Sequence, residues 1–381
     1  MSWDEDIMRR CGRRRWAWLA GWALLLLAGS AGWAAALAWS DDPARAWRGL
    51  LIAFCYVTPL AAGLVVWPAV VQLSRGRWAG ELTGLAPRGL GFALPSMAIM
   101  ALLAVGSPTW ATWYGKTTAV GAWLSAPWLF GRDLAALAVV WVLCWTYVRR
   151  RRVGAGAAAA VALIVAYAFA FSLIGYDLVS ALDWQWSSTL FGGYFFISGL
   201  YAAAVAWTAQ SLFHPAGTAD RRHDLAKLMV AFSILTAYLA YAHLLPIWYE
   251  NMPHETRFII PRVNFAPWNY VSIALAALVY LGPLWILLTV WAKRTAWFLG
   301  LVCLMLLAGL WVERWWLVTP MAFEKYPAVA APANVGPAEL GALAACVGLL
   351  GLGAAIIAPR ANDLRAGASA AEGPGEVGGH E

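Results

Sequence analysis

Long apolar stretches alternate with short polar ones along nearly the whole chain, and the polar ones are too brief to hold a domain of their own. A helix needs about 20 mostly apolar residues to cross a bilayer. The pattern predicts ten such spans, at 16–38, 49–73, 89–106, 132–148, 157–176, 187–210, 225–249, 267–291, 296–318 and 338–358. The third is interrupted by Pro95 and the fourth is shortened by Asp133, so these are the weakest. The expectation is an all-α integral membrane fold in three parts. A basic N-terminal segment covers 1–15, a polytopic membrane domain 16–358, and a Gly/Ala/Glu-rich tail 359–381 that reads as disordered.

Composition sharpens this reading. Over 381 residues the chain is 62% hydrophobic and 12% charged, with a mean hydropathy of +0.64. A soluble domain carries about 25% charged residues. With the N-terminus placed inside, the inner loops and span ends hold Arg9, Arg10, Arg13, Arg14, Arg15, Arg75, Arg77, Arg88 and Arg149 to Arg152. They also hold Arg221, Arg222, Lys227, Lys293, Arg294, Arg360 and Arg365, which makes nineteen of the 27 Lys and Arg. Basic residues concentrate on the cytoplasmic side, so both termini are expected there. The net charge of +7 follows from this asymmetry and needs no nucleic acid. The Arg-rich start leads into an apolar segment too long for a cleaved signal, which predicts an uncleaved signal anchor. Many of the 26 Trp fall near span ends, as Trp315 and Trp316 do, where indoles suit the headgroup zone.

Several chemistries are excluded. Of five His, His214, His223, His254 and His380 fall in loops or the tail, leaving His243 alone in a span. A transmembrane cytochrome b needs paired His on facing helices, and a haem–copper centre needs more. The five Cys are isolated, without CxxC or iron–sulfur spacing. No GxxxxGK[ST] phosphate loop occurs. The chain is therefore expected to bind no metal or redox centre itself.

One stretch departs from the apolar pattern. HLLPIWYENMPHETRFIIPR, residues 243 to 262, gathers two His, two Glu, two Arg, an Asn and three Pro. His243, Pro246 and Glu250 stand at i, i+3 and i+7, which puts them on one helical face. His243 lies about 10 Å inside the outer end of the seventh span. Asp177 and Asp183 arrive at the same side, as do Glu313 and Arg314 in LWVERWWLVTP. Ionisable residues at such depth mark ion or substrate pathways by default. Blander readings stand beside this one: Arg257 and Arg262 as a solvated loop, Glu313 with Arg314 as a structural ion pair, His243 as a packed histidine. Asp224 and Lys227 read as an i,i+3 surface pair.

YAHLLPIWYENMPHETRFIIPR resembles the helix-seven signature of the NrfD-like, polysulfide-reductase-type membrane subunits of alternative complex III, nearest to the second of the two large membrane subunits. Trp248, Tyr249, Asn251, Pro253 and Glu255 carry the match. DWQWSSTLFGGYFF (183–196) is similar to the family's start of span six, and SRGRWAGEL (74–82) to its loop after span two. RRHDLAKLM (221–229) resembles its start of span seven, and VERWWLVTP (312–320) its end of span nine. The order holds from span two to span nine. The chain departs from the pattern at His243, where Gln is usual, at His254, which replaces a Glu, and at Glu250, where a small residue is common.

The resemblance implies two central four-helix bundles with flanking helices, in the bacterial inner (cytoplasmic) membrane. It implies a complex that oxidises quinol and passes electrons through iron–sulfur and c-type haem centres held by partner chains. Those partners would be a sister NrfD-like subunit, an iron–sulfur protein and c-type cytochrome subunits, with a terminal oxidase or soluble cytochrome c beyond them. This subunit would contribute a proton pathway, with a quinone pocket near the periplasmic face as a further possibility. The expected proton route is His243, Glu250, Asp177, Asp183, Glu255 and Glu313; the quinone-pocket candidates are His243, Trp248, Tyr249 and Arg257. Two alternatives stay open: an independent secondary transporter, and a structural anchor for peripheral redox subunits.

Overall fold

The computed structural model describes residues 3–116, 121–152, 156–186, 188–322 and 333–357, and for 3–15 and 152 it describes the backbone alone. The tail at 359–381 lies outside the described residues. Among the described residues, ten helices are long and apolar enough to cross a membrane. They are α1 (Trp16–Trp39), α2 (Pro43–Leu73), α3 (Gly80–Trp110), α4 (Ala126–Arg151), α5 (Ala157–Asp183), α6 (Phe191–Ser211), α7 (Ala219–Glu250), α8 (Trp268–Ile286), α9 (Ala296–Met321) and α10 (Pro337–Ile357). No strand occurs among the described residues. The chain is thus an all-helical, multi-pass membrane protein.

The two weak spans are longer than their hydropathy predicts. α3 starts as a 3₁₀ segment, Gly80–Phe92, and becomes α-helical at Ala93. Pro95 is accordingly near the start of the α-helical part, where a missing N–H costs little. α4 begins six residues before Arg132, and Asp133 lies within it, fully buried.

α2 is the central element. Every residue of its most apolar window is buried, and it touches α1, α3, α4, α5, α6, α9 and α10. Around it α3 packs on α4 and α4 on α5; on the other side α6 packs on α7, α7 on α8, and α9 on both α6 and α8. α1 is peripheral, with 6% of its window buried, and leans on α10 and α2. Between helices in lipid, close packing of small residues replaces the hydrophobic drive. A Cβ on Gly341 of α10 would stand 2.7 Å from the Trp33 nitrogen and 2.9 Å from the Gly29 carbonyl of α1.

The eighth span is broken. Trp268–Ala274 is α-helical, Leu275–Tyr280 is a π segment, and a new turn starts at Gly282. Pro283 has no N–H to give the carbonyl of Val279, four residues earlier. The Tyr201 hydroxyl of α6 donates to that carbonyl instead, at 3.2 Å. Bilayer lipid offers no hydrogen bonds, so a neighbouring helix supplies the donor.

The described residues that follow α1, α3, α5, α7 and α9, with the starts of the helices after them, meet at one end of the molecule. Thr112 donates to the Leu182 carbonyl, Arg257 pairs with Asp183, and Arg45 pairs with Glu339 and donates to the Asn334 carbonyl. This is the end that carries residues 251–267. Asp224 and Lys227, near the other end, pair at 3.0 Å as an i,i+3 pair.

Gly341→Leu is expected to push α1 off α10 and to cost about 1–3 kcal/mol through overpacking. A lower thermal midpoint of the detergent-purified protein checks this; an unchanged midpoint would show that α1 does not depend on the Gly341 contact.

Candidate functional site

Three separate stretches converge around His243. The turn before α6 brings Trp186 and Ser188, α7 brings His243, and the segment after α7 brings Phe258. Ser188 Oγ and His243 Nδ1 lie 2.6 Å apart. Trp186 and Phe258 stack at 4.3 Å, and both present edges to the imidazole, at 5.4 and 5.3 Å; Phe191 stands 6.2 Å from it. His243 is buried, and its Nε2 has no hydrogen-bond partner. One ring nitrogen is thus fixed by a serine, while the other keeps its hydrogen-bonding capacity unspent.

The aromatic box rests on Arg262. Sequence composition allowed this residue a solvated loop, but it is 2% exposed. Its segment folds back over the bundle end, where Phe258 and Trp316 cover the guanidinium at 3.9 and 4.9 Å. Arg262 donates to the carbonyls of Phe258 (2.6 Å), Leu317 (3.0 Å) and Trp316 (3.3 Å). The last is the carbonyl that Pro320, inside α9, cannot reach with an N–H. Burial draws the Arg262 guanidinium below the ordinary arginine value, and the charges of Asp183 and Tyr194 partly offset that.

Deeper along α9 lies Glu313, fully buried and about 12 Å from the end of the helix at Met321. Tyr194 donates to Oε1 at 2.5 Å and Tyr280 to the same oxygen at 2.8 Å, while Ser198 donates to Oε2. The two tyrosine oxygens are themselves 2.7 Å apart. Tyr280 closes the π segment of α8, and such bulges often serve to re-aim a side chain at a functional site. Four oxygen–oxygen contacts share the three hydroxyl hydrogens of Tyr194, Tyr280 and Ser198. An ionised Glu313 leaves one contact without a hydrogen, and a protonated Glu313 fills all four. Arg314 Nη1 stands 3.9 Å from Oε2.

Asp183 and Arg257 form an ion pair at 2.8 Å, and Arg257 also donates to Gln185. They line a cavity of about 200 Å³ at the same end, together with Thr112, Lys116, Trp184 and Met321. Asp177, buried at the end of the α-helical part of α5, pairs with Arg132 at 2.6 Å and accepts from the Trp123 indole at 3.2 Å.

The remaining expected residues lie elsewhere. Glu250 is the last residue of α7 and is exposed, as is Pro246, although Ile247 between them is buried. Helical phase alone puts them near His243, but the wall that buries His243 does not extend to them. Trp248 and Tyr249 are 74% and 81% exposed on other faces of the helix, apart from His243. Glu255 is half-buried, 4.0 Å from His254. Sequence reasoning missed Ser188, Tyr194, Ser198, Tyr280, Arg132 and Asp133. A signal existed for one pair: Tyr194 and Ser198 stand at i,i+4 on one face of α6.

No protein-family model matches this chain, and no curated protein matches it.

Arg262→Met removes the side-chain donor from three carbonyls, two of them in α9, and is expected to cost about 2–4 kcal/mol at roughly 1–3 kcal/mol per buried group left unsatisfied. Arg262→Lys, which keeps the charge and loses the planar fork, should recover only part of it. Thermal midpoints of the two variants check this, and equal midpoints for Met and wild type would refute it.

Proposed function

We propose that this chain is a membrane subunit of a quinol-oxidising respiratory electron-transfer complex of the alternative complex III type. It contributes a proton pathway, and a quinone pocket, near the periplasmic face. The observation that carries the reading is convergence: stretches that separately resemble the family's signatures, at 183–196, 243–262 and 312–320, meet in one place. Trp186, Ser188, His243, Phe258, Arg262 and Trp316 form a single contact chain, and Tyr194 leads from it to Glu313. The pairing of α2 with α3 and α5, and of α9 with α6 and α8, supports the two four-helix bundles that the resemblance implies. Arginines gathered at the opposite end support cytoplasmic termini.

In this reading Glu313 takes up and gives on a proton through its hydroxyl partners. His243 Nε2, a buried polar atom without a hydrogen-bond partner, is the contact for a quinol hydroxyl or the next stop for the proton. Asp183 and Arg257 border the cavity through which the route opens to the periplasm. Iron–sulfur and haem c centres belong to the partner chains.

Purification of the tagged protein in mild detergent, followed by mass spectrometry, tests the assignment. Co-purifying c-type cytochromes, an iron–sulfur protein and a second polytopic subunit are expected; a lone protein or homo-oligomer overturns it. In the assembled complex Glu313→Gln should lower quinol oxidation by about 100-fold, the size of a lost proton-transfer step, with subunit content unchanged. Unaltered turnover would remove Glu313 from the route.

A further inference from the structure

Asp133 is the one carboxylate in the described spans whose two oxygens both lack a hydrogen-bond donor while the residue is fully buried. It lies on α4, about 10 Å from the start of that helix at Ala126. The group it faces is another carboxyl, that of Asp177 on α5, within hydrogen-bonding reach. Two ionised carboxylates so placed repel each other and have no hydrogen to share.

Asp177 already has its cation. Arg132 Nε donates to Oδ2 at 2.7 Å and Nη2 stands 2.6 Å from Oδ1. The guanidinium is held in turn by the Trp123 ring, 3.7 Å away, and by the Trp123 carbonyl at 2.8 Å. Asp133 has no such partner. With both aspartates ionised the three side chains carry one net negative charge inside the bundle. One proton brings this to zero and supplies the hydrogen that the carboxyl–carboxyl contact lacks.

We propose that Asp133 and Asp177 hold one exchangeable proton between them, forming a proton-binding site on α4 and α5 separate from Glu313. A metal ion fits poorly: no cluster of three acidic, His or Cys ligands exists among the described residues, and Arg132 occupies one side. The surroundings add little charge. α2 contributes the Cys55 thiol, which lies within electrostatic reach of both Asp133 and Arg314, so α2 stands between this site and that of Glu313. The charged residues of α3, Glu81 and Arg88, belong to its opposite end. Exchange runs through the Arg132–Trp123 layer, where Trp123 is 49% exposed. A hydronium at that surface gives up one O–H bond, an O–H bond forms on the pair, and water remains outside.

The inference rests on α4 and α5 and holds whether or not the chain joins a respiratory complex. Infrared difference spectra of the full-length purified protein, in water and heavy water at neutral pH, test it. A carboxylic-acid carbonyl band sensitive to heavy water is expected, retained in Glu313→Gln and lost in Asp133→Asn. The asparagine amide offers a permanent donor to Asp177, so Asp133→Asn should fold with a thermal midpoint close to that of wild type. Heavy-carbon labelling of the aspartate carboxyls in the unmutated protein must shift the band, which keeps the test decisive if the variant fails to fold. A band unaltered in Asp133→Asn, or unmoved by aspartate labelling, overturns the proposal.

Discussion

Every polar group inside this bundle must find its partner within the protein, because a bilayer interior offers none. That constraint explains the irregularities better than any local propensity does. Pro283 breaks α8 and frees the Val279 carbonyl, and Tyr201 of α6 takes it. Pro320 does the same near the end of α9, and Arg262 takes the Trp316 carbonyl. In each case a helix defect is matched by a side chain from another segment, so the defects lock neighbours together. The π segment of α8 then has a second effect, since it delivers Tyr280 to Glu313.

The same constraint sorts the ionisable residues. Asp177 has Arg132, Asp183 has Arg257, and Glu339 has Arg45, each at ion-pair distance and each toward the end that carries residues 251–267. Breaking such a pair deep in the bundle strands a charge, which is far more costly than removing both members. Glu313 is handled differently, by hydroxyls, with Arg314 held back at 3.9 Å. A hydroxyl can donate to a carboxyl or accept from it, whereas an arginine can only donate. The choice of neighbour thus sets Glu313 apart from the arginine-paired carboxyls.

The spans were legible because crossing a bilayer demands about 20 apolar residues, and such a requirement appears directly in sequence. The depth of Glu313 and Arg314 was legible for the same reason: charges interrupt an otherwise apolar run. Partners were not. Tyr194, Ser198 and Tyr280 lie on two other spans, and a tyrosine or serine in a span carries no mark of what it touches. Asp133 weakened the hydropathy of α4, and a sequence reading registers such a residue as a poor span before it registers a site. Arg262 sits in a stretch whose charged residues suit water, and the fold-back that sets it between Phe258 and Trp316 buries it. Helical phase groups His243 with Glu250, yet phase says nothing about how far the neighbouring wall extends.

Two buried groups remain without an opposite charge at ion-pair distance among the described residues, Arg262 and Asp133, and their settings differ in a way that chemistry dictates. A guanidinium cannot give up its proton in a protein. Arg262 is accordingly wrapped by three carbonyls and two aromatic faces, which meet a permanent cation with partial negative charge on every side. A carboxyl has another way out, since a proton removes its charge altogether. Asp133 is given no donor and no cation of its own, only a second carboxyl whose arginine is already engaged. Where a buried carboxyl is offered no donor, a proton is the ligand that removes its charge.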